Sequence, residues 1–272
     1  MNTTYINQTN TIRSQKMLHI SARVWFTIAV LGQWIFAFYV TTFYGTAAIE
    51  GNYQKWNEVL PHGYTEGATI SNVVVGIHLL FAVIIIIGGP LQFIDKIRMR
   101  ARSFHRWNGK IYLVTTFIAG FSGIYMILSK GSVTGWIGDI SVSFNGILMM
   151  IFAVFAWRTA LQKNFVSHNR WVLRLFLAVN GVWFFRIGLM LWLFIHGKPV
   201  GFDPETFRGP FITFLGFGQY LIPLRILEVY LKVKDRKIAL EQWSMTMVLF
   251  ISIIATGIGV FAATVGMWLP RL

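Results

Sequence analysis

Seven apolar stretches, each about 20 residues long, constrain the fold of this chain more than any other feature. A transmembrane helix needs about 20 mostly apolar residues at a rise of 1.5 Å per residue. The stretches lie at 24–44, 71–94, 109–129, 139–157, 171–195, 210–231 and 244–268. Only 12% of the 272 residues are charged, which is about half the share in soluble domains. We therefore predict an all-α integral membrane protein with about seven transmembrane helices in one bundle.

The sequence divides into a polar N-terminal segment and one membrane domain. Residues 1–20 are polar, and no low-complexity linker interrupts the chain after them. We predict a polar cytoplasmic tail over 1–20 and a single transmembrane domain over 21–272. The chain has no cysteine, which excludes disulfides, zinc–thiolate sites, iron–sulfur clusters and thiol catalysis. The common motifs of soluble enzymes are absent from it, and the sequence leaves open whether the protein is an enzyme.

The basic residues alternate from one set of connecting segments to the next. Seventeen of the 24 Lys and Arg residues fall on one side of the seven spans and five on the other, while Arg186 and Arg225 fall inside spans. The positive-inside rule then places the N-terminus in the cytoplasm and the C-terminus outside. We expect the net charge of +14 to face anionic lipid headgroups at the cytoplasmic surface rather than nucleic acid.

Four polar side chains fall inside the predicted spans at a similar depth from the outer surface. An ionisable group inside a span costs roughly 2.5–3.5 kcal/mol on insertion, so it is a candidate for function. At 1.5 Å per residue these groups lie about 9–14 Å below the outer ends of their spans. We predict that they line an outward-facing, ligand-binding pocket: His78, Asn145, Arg186 and Gln219.

No carboxylate lies at the predicted depth of Arg186. Either backbone carbonyls and amide side chains solvate this cation, or a ligand supplies the negative charge. A carboxylate, a phosphate or a polarised quinone carbonyl would suit an arginine beside a histidine. The alternative is that neighbouring carbonyls or water satisfy each polar group separately.

The phrases "RSFHRWNGK" (102–110) and "SHNRWVLR" (167–174) each open a span on the basic side. They suggest that spans 2–3 and 4–5 form a weak parallel repeat, which would bring His105 and His168 to one membrane level. Two histidines at one level on two helices are what ligation of a b-type haem requires. Pro90 predicts a kink in span 2, and Arg225 and Glu228 are spaced to pair on span 6.

These motifs resemble the bacterial membrane family known as domain of unknown function 2306. That family has a membrane histidine, a Gly-Pro-Leu-Gln-Phe turn, two histidine–arginine–tryptophan helix starts and a later buried arginine. The resemblance covers roughly 71–231, although Gln219 stands where the family often has asparagine. It implies a helical protein of the bacterial inner membrane and no established reaction. The matching residues are His78, Gly89, Pro90, Leu91, Gln92, Phe93, His105, Arg106, Trp107, Gly109, His168, Arg170, Trp171 and Arg186.

Three functions fit these features. The protein could bind or transport a small anionic or lipid-like ligand through the outward-facing pocket. It could carry electrons through a b-type haem or a quinone, with His105 and His168 as the ligands of a haem. It could also be a structural or assembly subunit of a membrane complex, which nothing in the sequence excludes.

Overall fold

The computed structural model describes residues 2–60 and 62–272, with side chains described from Asn10 onward. The described residues form α-helices and short helical turns and contain no β-strand. The helices are α1 (Asn2–Ile49), α2 (Thr69–Leu91), α3 (Asp95–Arg100), α4 (Arg102–Lys130), α5 (Trp136–Leu161), α6 (Phe165–Val179), α7 (Gly181–His196), α8 (Pro210–Arg236) and α9 (Ala239–Ala263). A 3₁₀ helix spans Tyr53–Glu58, and a π-helical turn over Thr264–Trp268 continues α9.

The all-α membrane bundle is confirmed. Among the described residues, six helices have the length and hydropathy to cross a bilayer, and the bent pair α6–α7 makes a seventh crossing when it is counted as one span. Large apolar side chains are exposed along these helices, among them Phe38, Leu80 and Leu128. Such faces are stable against the hydrocarbon of a bilayer, whereas their exposure to water would cost free energy.

The helices run between two ends of the bundle that differ in charge. The basic end holds the start of α1 and the connections 92–101, 162–164 and 237–238, and the opposite end holds 50–68, 131–135, 197–209 and the C-terminus. α9 packs against both α1 and α7, whereas α2, α4, α5 and α6 pack in sequence order. The hairpins α2–α4 and α5–α6 therefore exist, while their superposition as a repeat stays a prediction.

The segment predicted as a tail is helical and continuous with the first span. Helix α1 begins at Asn2, and Met1 lies outside the described residues. Near its start, Ser14 donates a hydrogen bond to Gln242 Oε1 of α9 at 2.7 Å, and Asn10 Oδ1 accepts one from the Trp243 indole at 3.0 Å. These contacts tie the polar start of α1 to the membrane domain.

The fifth span is broken, whereas the sequence predicts a continuous helix over 171–195. α6 ends at Val179 and α7 begins at Gly181, with a bend of 54° between them. Asn180 turns its side-chain amide back onto the Phe176 carbonyl at 2.7 Å, and the following glycine is a weak helix former. A polar side chain that competes for helix carbonyls, followed by glycine, explains the break.

Two smaller expectations concern Pro90 and Glu228. Pro90 lies in the last turn of α2 and the helix ends one residue later, so a kink there would affect only the end of the helix and stays a prediction. Glu228 does not pair with Arg225 on its own helix. Both of its oxygens accept hydrogen bonds from Arg174 of α6, at 2.6 and 2.9 Å, in a bidentate geometry.

Candidate functional site

Arg186 lies where α7 faces α1, toward the opposite end of the bundle. Its guanidinium carbon lies 5.2 Å from the centre of the Phe36 ring. Tyr39 and Tyr44 of α1 are within electrostatic range of the guanidinium. Its hydrogen bond within α7 is a long one, from Nη1 to the Val182 carbonyl at 3.4 Å. The guanidinium thus faces one aromatic ring, has two phenol groups within electrostatic range, and is only partly exposed.

Arg186 has no acidic partner among the described residues. Four ion pairs join described residues, Arg98–Asp95, Arg170–Asp235, Arg174–Glu228 and Arg236–Glu241, and none of them includes Arg186. A cation–π contact offsets part of the cost of removing a guanidinium from water. It leaves most of the five N–H donors of the guanidinium without a strong acceptor.

Buried donor groups border the same contact between α1, α7 and the end of α9. The side chains of Gln33, Tyr39, Trp183 and Trp268 are almost fully buried, and their polar atoms have no hydrogen-bond partner among the described residues. Trp268 contacts both Phe36 and Tyr39, with ring centres 5.2 and 6.4 Å apart. An indole N–H can only donate. Apart from the Gln33 carbonyl oxygen, the unpaired atoms of these four side chains are therefore donors that have no acceptor.

Asn145 and Gln219 lie together at a different point. A Cβ on Gly181 would be 2.8 Å from Asn145 Nδ2 and 3.6 Å from Gln219 Oε1, so both amides flank the break between α6 and α7. Gly181 and Arg186 are five residues apart on α7, which places them roughly 140° apart around the helix. Two of the four predicted pocket residues therefore meet each other, and Arg186 points away from them.

His78 has a partner of its own. Its Nδ1 lies 2.8 Å from Ser122 Oγ of α4. Ser122 also lines an open groove of about 370 Å³ between α2 and α4, whose other lining residues are Val74, Ile77, Ile118, Phe121 and Tyr125. His78 is thus placed at the α2–α4 interface, and none of the described contacts joins it to Arg186. A ligand-binding role for each of the four residues stays a prediction.

His105 and His168 both lie at the basic end, within electrostatic range of each other. His168 Nδ1 lies 2.9 Å from the Ala156 carbonyl of α5. Because a carbonyl can only accept, this nitrogen carries the proton and Nε2 of the neutral ring is left free. His105 Nδ1 is buried and has no partner among the described residues. Their predicted role as haem ligands stays a prediction.

The glycines of the Gly-Gly-Pro motif let α4 approach α2 closely. A Cβ on Gly88 would lie 2.9 Å from Asn108 Oδ1, and one on Gly89 would lie 2.9 Å from the Tyr112 ring. Asn108 donates to the Gly88 carbonyl at 2.9 Å. The Gly-Gly-Pro motif and the helix start "HRWNG" therefore form one packed junction between α2 and α4.

Sequence reasoning missed Gln33, Tyr39, Trp183 and Trp268. Each lies within a long apolar run, where tryptophan and tyrosine read as core or interfacial residues. Gln33 is the one member that a search for polar residues inside spans could have found. The contribution of the other three follows from how α1, α7 and α9 pack.

A comparison with protein families supports the resemblance drawn from the motifs. The family model described as "Predicted membrane protein (DUF2306)" matches residues 75–207. This segment runs from α2 to the loop after α7 and includes His78, His105, Asn145, His168 and Arg186. It includes neither Gln219 nor α1, which supplies the aromatic groups around Arg186. No curated protein and no solved structure matched the chain.

Proposed function

The chain belongs, through residues 75–207, to the DUF2306 family of predicted membrane proteins, and we propose that it binds a small anionic or lipid-like ligand at Arg186. One observation carries this proposal. A partly buried guanidinium that has no acidic partner among the described residues faces the contact between α1, α7 and α9, where buried hydroxyl, indole and amide groups also have no partner in that part of the chain. A ligand that supplies acceptors and a negative charge would satisfy these groups together.

Two kinds of ligand could supply the negatively charged group, a free oxyanion and the headgroup of an anionic lipid. Both present oxygen acceptors that suit a forked guanidinium. Tyr39 also lies within electrostatic range of Glu58 and Arg271 at the opposite end, which supports a site that opens toward that end. We propose that the protein lies in a bacterial inner membrane. The positive-inside rule then puts that end on the outer side and the N-terminus in the cytoplasm. The basic end then faces anionic headgroups.

Tryptophan fluorescence of the purified protein tests the proposal, because Trp183 lies three residues before Arg186 on α7 and Trp268 contacts Phe36, the ring that the guanidinium faces. We expect a saturable change on titration with inorganic phosphate, or on moving the protein from phosphatidylcholine nanodiscs to nanodiscs containing phosphatidylglycerol. The first response indicates a free anion and the second a headgroup. Loss of a charge-assisted contact of about 1.5–3 kcal/mol predicts that Arg186→Gln weakens binding about 10- to 100-fold.

Arg225→Gln is the matched control, since Arg225 is the other arginine assigned to a span and is exposed. It should bind as the unmodified protein does. Arg186→Gln should remain folded or gain stability, because it removes a charge that costs roughly 2.5–3.5 kcal/mol in a span. Equal affinity in Arg186→Gln and the unmodified protein contradicts the proposal.

Membrane redox chemistry is a second candidate, favoured by the hydrogen bonding of His168. Histidines that ligate metals commonly donate their other ring N–H to a carbonyl, as His168 does to Ala156. With His105 nearby, the pair could hold the iron of a b-type haem, which would supply one-electron transfer. A Soret band that disappears in both His105→Ala and His168→Ala supports this function, and a colourless preparation with haem supplied in the growth medium counts against it.

A further inference from the structure

The break between α6 and α7 gathers three buried amide side chains. Asn145 comes from α5, Asn180 is the residue at the break itself, and Gln219 comes from α8. All three are more than nine-tenths buried. The break lies about 22 Å along the chain from the start of α6, well inside the bundle and away from both of its ends.

Each of these amides uses its nitrogen on a helix carbonyl. Asn145 Nδ2 donates to Ala178 O at 3.1 Å, Asn180 Nδ2 to Phe176 O at 2.7 Å and Gln219 Nε2 to Gly216 O at 2.7 Å. These partners fix the orientation of the amides, because a flipped amide would set oxygen against oxygen.

Two of these amide oxygens are consequently left without a donor. Asn145 Oδ1 and Asn180 Oδ1 are buried without a donor among the described residues, and Gln219 Oε1 points toward Gly181. α6 also ends here, so its last carbonyls direct the negative end of the helix dipole to the same point. α7 begins at Gly181 and turns its first N–H groups toward the same break, so it is among the side chains that acceptors are in surplus, the reverse of the side chains around Arg186.

We infer that this cluster of Asn145, Asn180 and Gln219 binds a dehydrated monovalent cation, with Na⁺ as the probe of choice. Oxygen ligands at a broken membrane helix are suited to coordinating Na⁺. A divalent cation fits poorly, because Ca²⁺ sites draw on carboxylates and the described residues contain no group of three acidic or histidine side chains able to hold a metal. The cation site does not depend on the proposed anion site.

Sodium dependence of thermal unfolding tests the inference at constant ionic strength, with N-methyl-D-glucamine chloride replacing NaCl. A ligand that binds only the folded state raises the unfolding temperature in a saturable way. We expect such a rise with Na⁺ or K⁺, together with saturable binding of radioactive ²²Na⁺ to the purified protein. No rise and no ²²Na⁺ binding overturn the inference.

Two substitutions at one position give opposite expectations. Gln219→Leu removes the oxygen and should abolish the Na⁺ response, whereas Gln219→Glu adds a carboxylate and should tighten Na⁺ binding at least tenfold. The matched control is Gln242→Leu, which alters an equally buried glutamine at the basic end and should keep the response. If Gln219→Leu does not fold, Gln219→Glu alone decides: unchanged Na⁺ affinity there overturns the inference.

A buried water molecule is the competing occupant of the cluster. Water would satisfy the same oxygens but would give no dependence on Na⁺ or K⁺, and Gln219→Leu would then change stability equally in every salt. That result overturns the cation site. It leaves the anion proposal at Arg186 intact, because Gln219→Leu does not alter any group that contacts Arg186.

Discussion

Single glycines decide how closely the helices of this bundle approach one another. Gly89 faces the rings of Tyr112 and Phe176, and a Cβ there would lie 2.9 and 3.5 Å from their nearest atoms. Aromatic rings of this size cannot retreat without moving their helices. The junction between α2 and α4 therefore depends on the absence of one methyl group.

Gly89→Ala should lower the free energy of unfolding by about 1–3 kcal/mol, the usual cost of overpacking a filled interior. Reversible unfolding in mixed micelles would measure the loss. Gly257→Ala in α9 is the control, because its added methyl group meets nothing within 4 Å and alanine is the better helix former. A loss in Gly89→Ala no larger than that in Gly257→Ala would contradict the contact with Tyr112 as the source of the cost.

At the scale of the element, hydropathy predicts the spans well and their breaks poorly. All seven apolar stretches correspond to described helices, because length and apolarity alone decide whether a segment crosses a bilayer. The break at Asn180 leaves the apolar run of span 5 uninterrupted. It depends on amide groups that reach helix carbonyls, which hydropathy does not measure.

Depth along a span can likewise be counted from the sequence, whereas direction around the helix cannot. Counting placed His78, Asn145, Arg186 and Gln219 at a similar depth. In the structure Asn145 and Gln219 meet at Gly181, and His78 contacts Ser122. Arg186 faces the aromatic side chains of α1. The order in which the helices pack decides which polar groups meet, and no single span carries that information.

The pair of Arg174 and Glu228 should couple α6 to α8 by about 1 kcal/mol in a double-mutant cycle of Arg174→Gln and Glu228→Gln. The pair is bidentate, but 18% of the Arg174 side chain and 36% of the Glu228 side chain are exposed, so solvent weakens the attraction. Unfolding free energies of the two single variants and the double variant give the coupling. The same cycle with Arg225→Gln in place of Arg174→Gln should give a value near zero, and a larger coupling to Arg225 would contradict the geometry.

For the whole molecule, the distribution of charge predicts which end of the bundle faces the cytoplasm. The structure separates the basic end from the opposite end, and the connecting segments alternate between them without exception. Because the chain has no cysteine, each introduced cysteine is a unique chemical label.

Cysteines that replace Lys130 and Lys198 should react with an impermeant maleimide added to intact cells, and one that replaces Arg100 should react only after lysis. All three positions are in or next to connections at the ends of the bundle, at 131–135, 197–209 and 92–101. Labelling of the Arg100 position alone in intact cells would reverse the predicted orientation and place the proposed site at Arg186 toward the cytoplasm.

Helix α1 is much longer than a bilayer requires. The part of it that qualifies as a span has 40 residues, Asn10–Ile49, or about 60 Å at 1.5 Å per residue, against a hydrocarbon thickness of about 30 Å. The first half of this rod is not free, because Ser14 and Asn10 hold it against the start of α9. A tilt of about 5° would therefore carry the starts of α1 and α9 together by about 3 Å over an arm of about 30 Å, and a change in membrane thickness would act on both helices at the basic end.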